Sequence, residues 1–251
     1  MRNERVDKIL SIIQEKESVD IKTLMDMFFV SEATIRRDLK ILEDEKLIIR
    51  SNGKAISTLY QTISFKSRKN TSKTEKHYIA KNAVKDLVSD GMFVMLDASS
   101  TAMETVFFLK EYKGLKVLTS GIETLFSLAQ TDLDYYSTGG EAYKKSLSLI
   151  GKSAIDMIKN MNADICFVSC HGLSSKGYAT DNSIFENDVR RTILEQSKRK
   201  VLLLDSSKIG KECINNLCHI SYFDDVYSDK PLGIELENQV KNFHLVNVVD
   251  Y

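Results

Sequence analysis

The chain has 251 residues, 35 basic and 35 acidic side chains, a formal net charge of zero, and 43% hydrophobic residues. These values exclude bulk disorder and a protein that coats nucleic acid by charge alone, and they leave length for two domains, each with a buried core. No window approaches the about 18 consecutive apolar residues of a membrane span, MRNERVDKIL lacks the apolar core of a signal peptide, and four cysteines without a dense framework suit a reducing cytoplasm.

In chain order, NERVDKILSIIQEKESVD places Val6, Ile9, Leu10 and Ile13 at helical spacing, with Asn3 available as N-cap. DIKTLMDMFFV repeats the pattern with Leu24, Met27 and Phe28 behind Asp20. After a break at Val30, Ser31 offers a hydroxyl cap for a third helix, and Glu32 sits in its first turn, where the dipole favours an acid. Three short helices, the last two joined by a turn of about four residues, match a helix-turn-helix.

On the third helix Ile35, Leu39 and Leu42 share one face and are the expected buried stripe. Ala33, Arg37 and Lys40 then point away from it, with Thr34 and Arg36 at their flanks. Such a face offers a small residue for close approach, two guanidinium forks that match guanine's acceptor pair, and an ammonium for phosphate. Asp38 falls nearer the buried edge and is expected to pair structurally. KLIIRSNGKAIS follows, where Asn52-Gly53 between two apolar runs predicts a β-hairpin, the wing of a winged helix. Arg50 and Lys54 flank its tip, within expected reach of DNA backbone or minor groove.

VSEATIRRDLKILEDEKLI resembles the recognition region of the DeoR family of bacterial transcriptional regulators. The resemblance carries family roles onto Ser31, Thr34, Arg36, Arg37 and Asp38, each in the matching Ser-x-x-Thr-Ile-Arg-Arg-Asp-Leu pattern. The family wing reads Arg-x-His-Gly-Gly-Ala. RSNGKA keeps Arg50, Gly53 and Ala55 but not the His or the second Gly.

Residues 66–85 hold seven basic side chains (Lys66, Arg68, Lys69, Lys73, Lys76, Lys81, Lys85) against Glu75, and read as a solvated linker and helix face. From Thr74 helices and strands alternate. TEKHYIAKNAVKDLVSDG predicts an amphipathic helix with Ile79, Ala83, Leu87 and Val88 inward, ending at Gly91. MFVMLD, KVLTS, DYYSTGG, ADICFVSC, KVLLLD and HLVNVV predict strands, separated by the helical TAMETVFFLKEY, IETLFSLAQ, SAIDMIKNM and NDVRRTILEQSK. The expected fold is therefore α/β: an N-terminal winged helix-turn-helix at 1–57, a linker at 58–73, and a Rossmann-like parallel-sheet domain at 74–251.

Ligands of such sheets bind at the carboxyl ends of strands. Asp97 ends one, and Ser99, Ser100 and Thr101 open the next helix, where hydroxyls and free N–H groups suit a phosphate. Thr119, Ser120 and Gly121, then Gly139 and Gly140, then Asp205, Ser206, Ser207 and Lys208 also follow strands. Neither a Walker lysine loop nor a dinucleotide glycine fingerprint is present. These loops resemble the DeoR family's Asp-x-Gly-Thr-Thr, Thr-Asn, paired glycines and Asp-x-Ser-Lys, with Ser99 for a Gly and Ser120 for the Asn. The resemblance implies a relative of ribose-5-phosphate isomerase that senses phosphorylated sugars.

One alternative is an isomerase or deaminase-like enzyme with a DNA-binding appendage. The isomerase relatives carry an Asp-Gly-Ala-Asp-Glu motif, where VSCHGLSSKG offers Cys170 and His171 but no carboxylates. A second alternative is zinc, because Cys166, Cys170 and His171, and Cys213, Cys218 and His219, have suitable donors. Their spacing lacks a tight knuckle, and Cys166 and Cys170 fit a buried strand. The expectation is a non-enzymatic transcriptional regulator, a repressor of a sugar operon, with no cofactor and no metal. Its expected partners are double-stranded operator DNA, a phosphorylated sugar effector, and further copies of itself as a dimer or tetramer.

Overall fold

A computed structural model describes residues 4–16, 18–45, 47–51, 53–57 and 65–249. The chain divides into two compact units, 1–62 and 63–251.

The first unit runs α1 (Glu4–Lys16), β1 (Ser18–Asp20), α2 (Ile21–Phe28), α3 (Glu32–Asp44), β2 (Ile48–Ser51) and β3 (Lys54–Ser57). Val6, Ile9 and Ile13 from α1, Leu24 from α2, and Ile35, Leu39 and Leu42 from α3 form one fully buried cluster. Each such side chain contributes about 1.5–3 kcal/mol of transfer free energy, so the stripe on α3 fixes which face remains outside. Two expectations change. Met27 is exposed, and the buried side of α2 is Ile21 and Leu24. The turn between α2 and α3 is residues 29–31, with Phe29 in the left-handed region at φ 52°. β2 and β3 pair antiparallel with Ser51 opposite Lys54, and Gly53 takes φ 75°. β1 adds a third strand against β3, which the sequence pattern did not predict. Asn3 and Asn52, the expected cap and turn residue, lie outside the described residues.

The second unit begins with α4 (Phe65–Asn70), inside the stretch expected as a linker, and α5 (Lys73–Leu87). β4 (Phe93–Leu96), α6 (Ser100–Glu104), α7 (Val106–Leu109), β5 (Lys116–Thr119), α8 (Ile122–Leu128) and β6 (Asp134–Ser137) follow. The expected single helix TAMETVFFLKEY is split, because Thr105 Oγ1 donates to the Ala102 carbonyl at 2.6 Å between α6 and α7. Next come β7 (Glu141–Tyr143), β8 (Ser148–Ile150), α9 (Lys152–Lys159), β9 (Ala163–Val168), β10 (Gly172–Leu173) and β11 (Tyr178–Asp181). α10 (Ile184–Glu195), β12 (Ser197–Leu204), β13 (Asn215–His219), β14 (Asp225–Ser228), α11 (Ile234–Glu237) and β15 (Asn242–Leu245) complete the chain.

Seven parallel strands form the main sheet in the order β15-β14-β12-β9-β4-β5-β6, with an apolar cluster on each face. β14 (DVYS) escaped the sequence reading, and CINNLCH holds β13, which pairs with β11 beside the main sheet. HLVNVV contributes its first two residues to β15 and no more. The chain starts the sheet at β4, winds outward through β5 and β6, then returns to β9 on the other side. The order therefore reverses between β4 and β9, and a crevice opens at their carboxyl ends.

Candidate functional site

On α3, Ser31 Oγ caps the helix by accepting from the Thr34 N–H at 3.4 Å, and its hydroxyl lies 3.0 Å from Thr34 Oγ1. Asp38 is buried and accepts from Arg5 of α1, Nε to Oδ2 at 2.6 Å, as its place near the buried edge predicted. Arg36 is tied to Glu32 one turn back, Nε to Oε1 at 2.7 Å. Ala33, Arg37 and Lys40 are exposed on the opposite face from the buried stripe. The wing residues Arg50 and Lys54 both have intrachain partners. Arg50 is held by Glu43, with its Nε donating at 2.8 Å to the end of α3, so it braces the hairpin. Lys54 remains half-exposed, 3.9 Å from Asp20.

In the second unit a cleft opens at the crevice between β4 and β9. Ser99 and Ser100 after β4, Cys170 and His171 after β9, and Asp205 and Lys208 after β12 line it. Arg68 and Thr71 from the α4 turn, Lys76 of α5, Arg190 of α10, Ser207 and Lys211 complete the wall. Lys208 Nζ joins three strand ends: it donates to Thr101 Oγ1 at 3.0 Å and Ser169 Oγ at 2.7 Å, and pairs with Asp205 Oδ2 at 3.0 Å. Burial alone would raise the Asp205 carboxyl, but the Lys208 charge and the Ser207 hydroxyl bring it below its ordinary range.

Lys76 belongs to the basic run that the sequence pattern places on a solvated face, yet it is 3% exposed. Its Nζ donates to the carbonyls of Arg68 at 2.5 Å and Thr71 at 2.7 Å, and to Ser100 Oγ at 3.2 Å. Burial, reinforced by the charge of Lys208, pushes this ammonium down to about 8. Arg68 is likewise lowered by burial. Arg68, Lys76, Lys208 and Lys211, from two stretches of the chain, together with Arg190 thus border one cleft whose single carboxylate, Asp205, is already paired. An oxyanion would relieve their mutual repulsion, and the surrounding serine hydroxyls would add donors.

Beneath the cleft runs a buried ionic chain. Arg190 Nε donates to Asp97 Oδ2 at 2.7 Å, and its Nη1 donates to Asp181 Oδ2 at 3.0 Å and Asn187 Oδ1 at 2.9 Å. Asp181 Oδ2 also lies 2.6 Å from His171 Nδ1. Burial opposes the charge on Asp181, but His171 and Arg190 outweigh it and hold the carboxyl far below the usual range. This corrects the expectation that no carboxylate accompanies His171. Asp181 lies ten residues on, across the β10–β11 turn, where no contiguous acidic motif reveals it.

The structure therefore brings Ser99, Ser100, Thr101, Asp205 and Lys208 together and separates them from other expected ligands. Asp97 is occupied by Arg190 and by the Ser99 N–H at 3.1 Å, and so forms the floor. Ser99 Oγ caps α6 by accepting from the Ala102 N–H at 3.0 Å. Thr119 Oγ1 accepts from Gly121, and Ser120 borders a smaller adjoining pocket with Glu186 and Arg190. Gly139 and Gly140 lie beyond β6, where a Cβ on Gly140 would stand 2.4 Å from the Ile150 carbonyl. Gly140 thus serves close packing against β8, while Gly139 takes φ 62° with open space around it. Cys166 and Cys170 are buried thiols raised to about 12 by burial. Among the described residues no group of three His, Cys, Asp or Glu side chains is placed to hold a metal. Arg68, Lys76 and Arg190 were missed. Only the odd placement of lysine and arginine on otherwise amphipathic helices hinted at them.

The chain matches the model of the DeoR-like helix-turn-helix domain over residues 5–59 and that of the DeoR C-terminal sensor domain over residues 71–230. It is 33% identical to the HTH-type transcriptional regulator YulB of Bacillus subtilis (strain 168) over 226 residues, 89% of this chain and 86% of that one. It is 26% identical to the glycerol-3-phosphate regulon repressor of Escherichia coli (strain K12), covering 97% of each. Among solved structures, ribose 5-phosphate isomerase A from Methanocaldococcus jannaschii aligns with 54% of each chain at 19% identity and a TM-score of 0.40.

Proposed function

The chain belongs to the DeoR family of DNA-binding transcriptional regulators, and from that premise we propose that it represses a sugar-metabolism operon until a phosphorylated sugar occupies the cleft of its second unit. The observation that carries the effector reading is the convergence of Arg68, Lys76, Lys208 and Lys211 on one cleft whose carboxylate is already paired. A glycerol-3-phosphate regulon repressor among its relatives agrees in chemical class.

For DNA, the exposed face of α3 enters the major groove. Arg37 reads a base, and Lys40 and Arg36 neutralise phosphates. Ser31, Ala33 and Thr34 line the approach, and Lys54 touches backbone from the wing. One such unit covers half of a palindromic site, so the working species is at least a dimer. An effector that favours the non-binding arrangement of the paired heads lowers operator affinity by linkage.

The second unit acts as a sensor without isomerase turnover. The test has two steps. Selection of bound duplexes from a random pool defines the operator, and titration of that complex with a panel of phosphorylated sugars follows. Release by at least one sugar phosphate, and none by the unphosphorylated sugar, is expected. A complex indifferent to the whole panel would refute the effector reading.

A further inference from the structure

Among the described residues, four buried side-chain atoms lack a hydrogen-bond partner: Thr124 Oγ1, His171 Nε2, Glu186 Oε2 and Asp205 Oδ2. Asp205 Oδ2 has Lys208 as its ion-pair neighbour. His171 Nε2 and Glu186 Oε2 have no such neighbour, and both belong to the crevice. His171 lines the cationic cleft, and Glu186 lines the small adjoining pocket. Arg190 borders both spaces. Leaving a buried polar atom unpaired is costly, and two such atoms beside a cleft mark hydrogen bonds that a ligand completes.

The chemistry of the two atoms restricts that ligand. Asp181 takes the Nδ1 side of His171 at 2.6 Å, which orients the ring and leaves Nε2 as the unpaired nitrogen of a residue that lines the cleft. Glu186 is 4% exposed, and its charge is balanced by Arg190 and Arg68 and not by a hydrogen-bonded donor on Oε2. A carboxylate oxygen accepts hydrogen bonds and repels anions. The crevice is thus polarised, with cations at Lys76 and Lys208 in the cleft and an acceptor at Glu186 in the adjoining pocket.

We infer that the effector is a phosphomonoester whose uncharged, hydroxyl-bearing end is read by His171 and Glu186, and that a second phosphate at that end is rejected. This inference rests on the reading of the cationic cleft as a phosphate site. It goes further by giving the ligand an orientation and by naming the two residues that discriminate among phosphorylated sugars. Phosphate alone satisfies the cations and leaves both orphan atoms unpaired. A bisphosphate satisfies the cations but places negative charge against Glu186.

The experiment measures binding to the full chain by calorimetry, with inorganic phosphate, fructose 1-phosphate, ribose 5-phosphate, glucose 6-phosphate, glycerol 3-phosphate and fructose 1,6-bisphosphate as probes. At least one monophosphate is expected to bind roughly tenfold or more tighter than inorganic phosphate, as one or two added hydrogen bonds require, and tighter than the bisphosphate. In H171F the ratio of monophosphate to phosphate affinity falls toward one. In E186Q the preference for monophosphate over bisphosphate narrows.

Monophosphates no tighter than phosphate, or ratios unchanged in both variants, overturn the inference while the phosphate site stands. Phosphate binding that survives intact in K208M removes the phosphate-site reading itself. Failure of every probe to bind overturns both.

Discussion

Lys208 Nζ lies 3.0 Å from Thr101 Oγ1, a contact that spans 107 residues of sequence and ties the segment after β12 to the first turn of α6. The same ammonium pairs with Asp205, which is fully buried, so Lys208 is at once a candidate ligand and a support.

The double variant T101A/K208A is expected to abolish effector-driven release from the operator. Its effector-free binding should persist, at a stability cost of about 3 kcal/mol from the unpaired Asp205. Anisotropy titrations with and without the sugar phosphate, beside thermal unfolding, read both quantities. Release as complete as in the wild type would place the ligand elsewhere.

Arg37 and Arg36 should not be equivalent. Arg37 projects into solvent from α3, whereas Arg36 is already engaged by Glu32. R37A is expected to cost about 1–3 kcal/mol of specific binding and to relax one operator position. R36A should weaken all sequences alike and reduce the salt slope. Unchanged affinity for both variants sinks the assignment of this face.

D38A removes the partner of Arg5 and separates α1 from α3. The N-terminal unit should melt at a lower temperature, and operator affinity should fall several-fold without a change in sequence preference, because Asp38 faces the core and not the groove. A change in preference would put Asp38 at the DNA.

Lys76 sets a pH dependence. Its ammonium titrates at about 8 in the free protein, lowered by burial and by Lys208 and Arg68, and raised in part by Asp205 and Glu104. A bound phosphate favours the charged form. Effector affinity should therefore be insensitive to this group below about 8 and fall by up to about tenfold per pH unit above it. The sign for folding is opposite: between about 8 and the ordinary lysine range the unfolded chain binds more protons, so the contribution of Lys76 to stability rises with pH. Calorimetry from pH 6.5 to 9.5 with wild type and K76M checks both. An identical slope in K76M removes Lys76 from the site.

The His171–Asp181 pair gives the imidazole a carboxylate partner at 2.6 Å, so turnover is a direct test of the sensor reading. No interconversion of pentose or hexose phosphates is expected. Turnover that disappears in H171F would overturn the sensor reading in favour of catalysis.

The sequence by itself determined the local grammar. Apolar spacing on α3 settled its buried stripe, and with it the outward face of Arg37 and Lys40. The same local rules marked Ser31 as a cap, Asp38 as a structural partner, and the βα alternation as a parallel sheet with polar residues at its strand ends. Periodicity of this kind reports which neighbours within one element share a face, and no more. The tertiary structure decided which strand ends meet, because the β4–β9 switch depends on the order in which strands join the sheet. It turned Lys76 and Arg68 from a run that reads as solvated into the wall of a cleft. It set Arg50 against Glu43, Asp181 against His171 and Arg190 against Asp97. Those pairings join residues up to 93 positions apart. They arise because a buried charge must find its counter-charge wherever the fold brings one, and that requirement leaves no periodic trace in the chain.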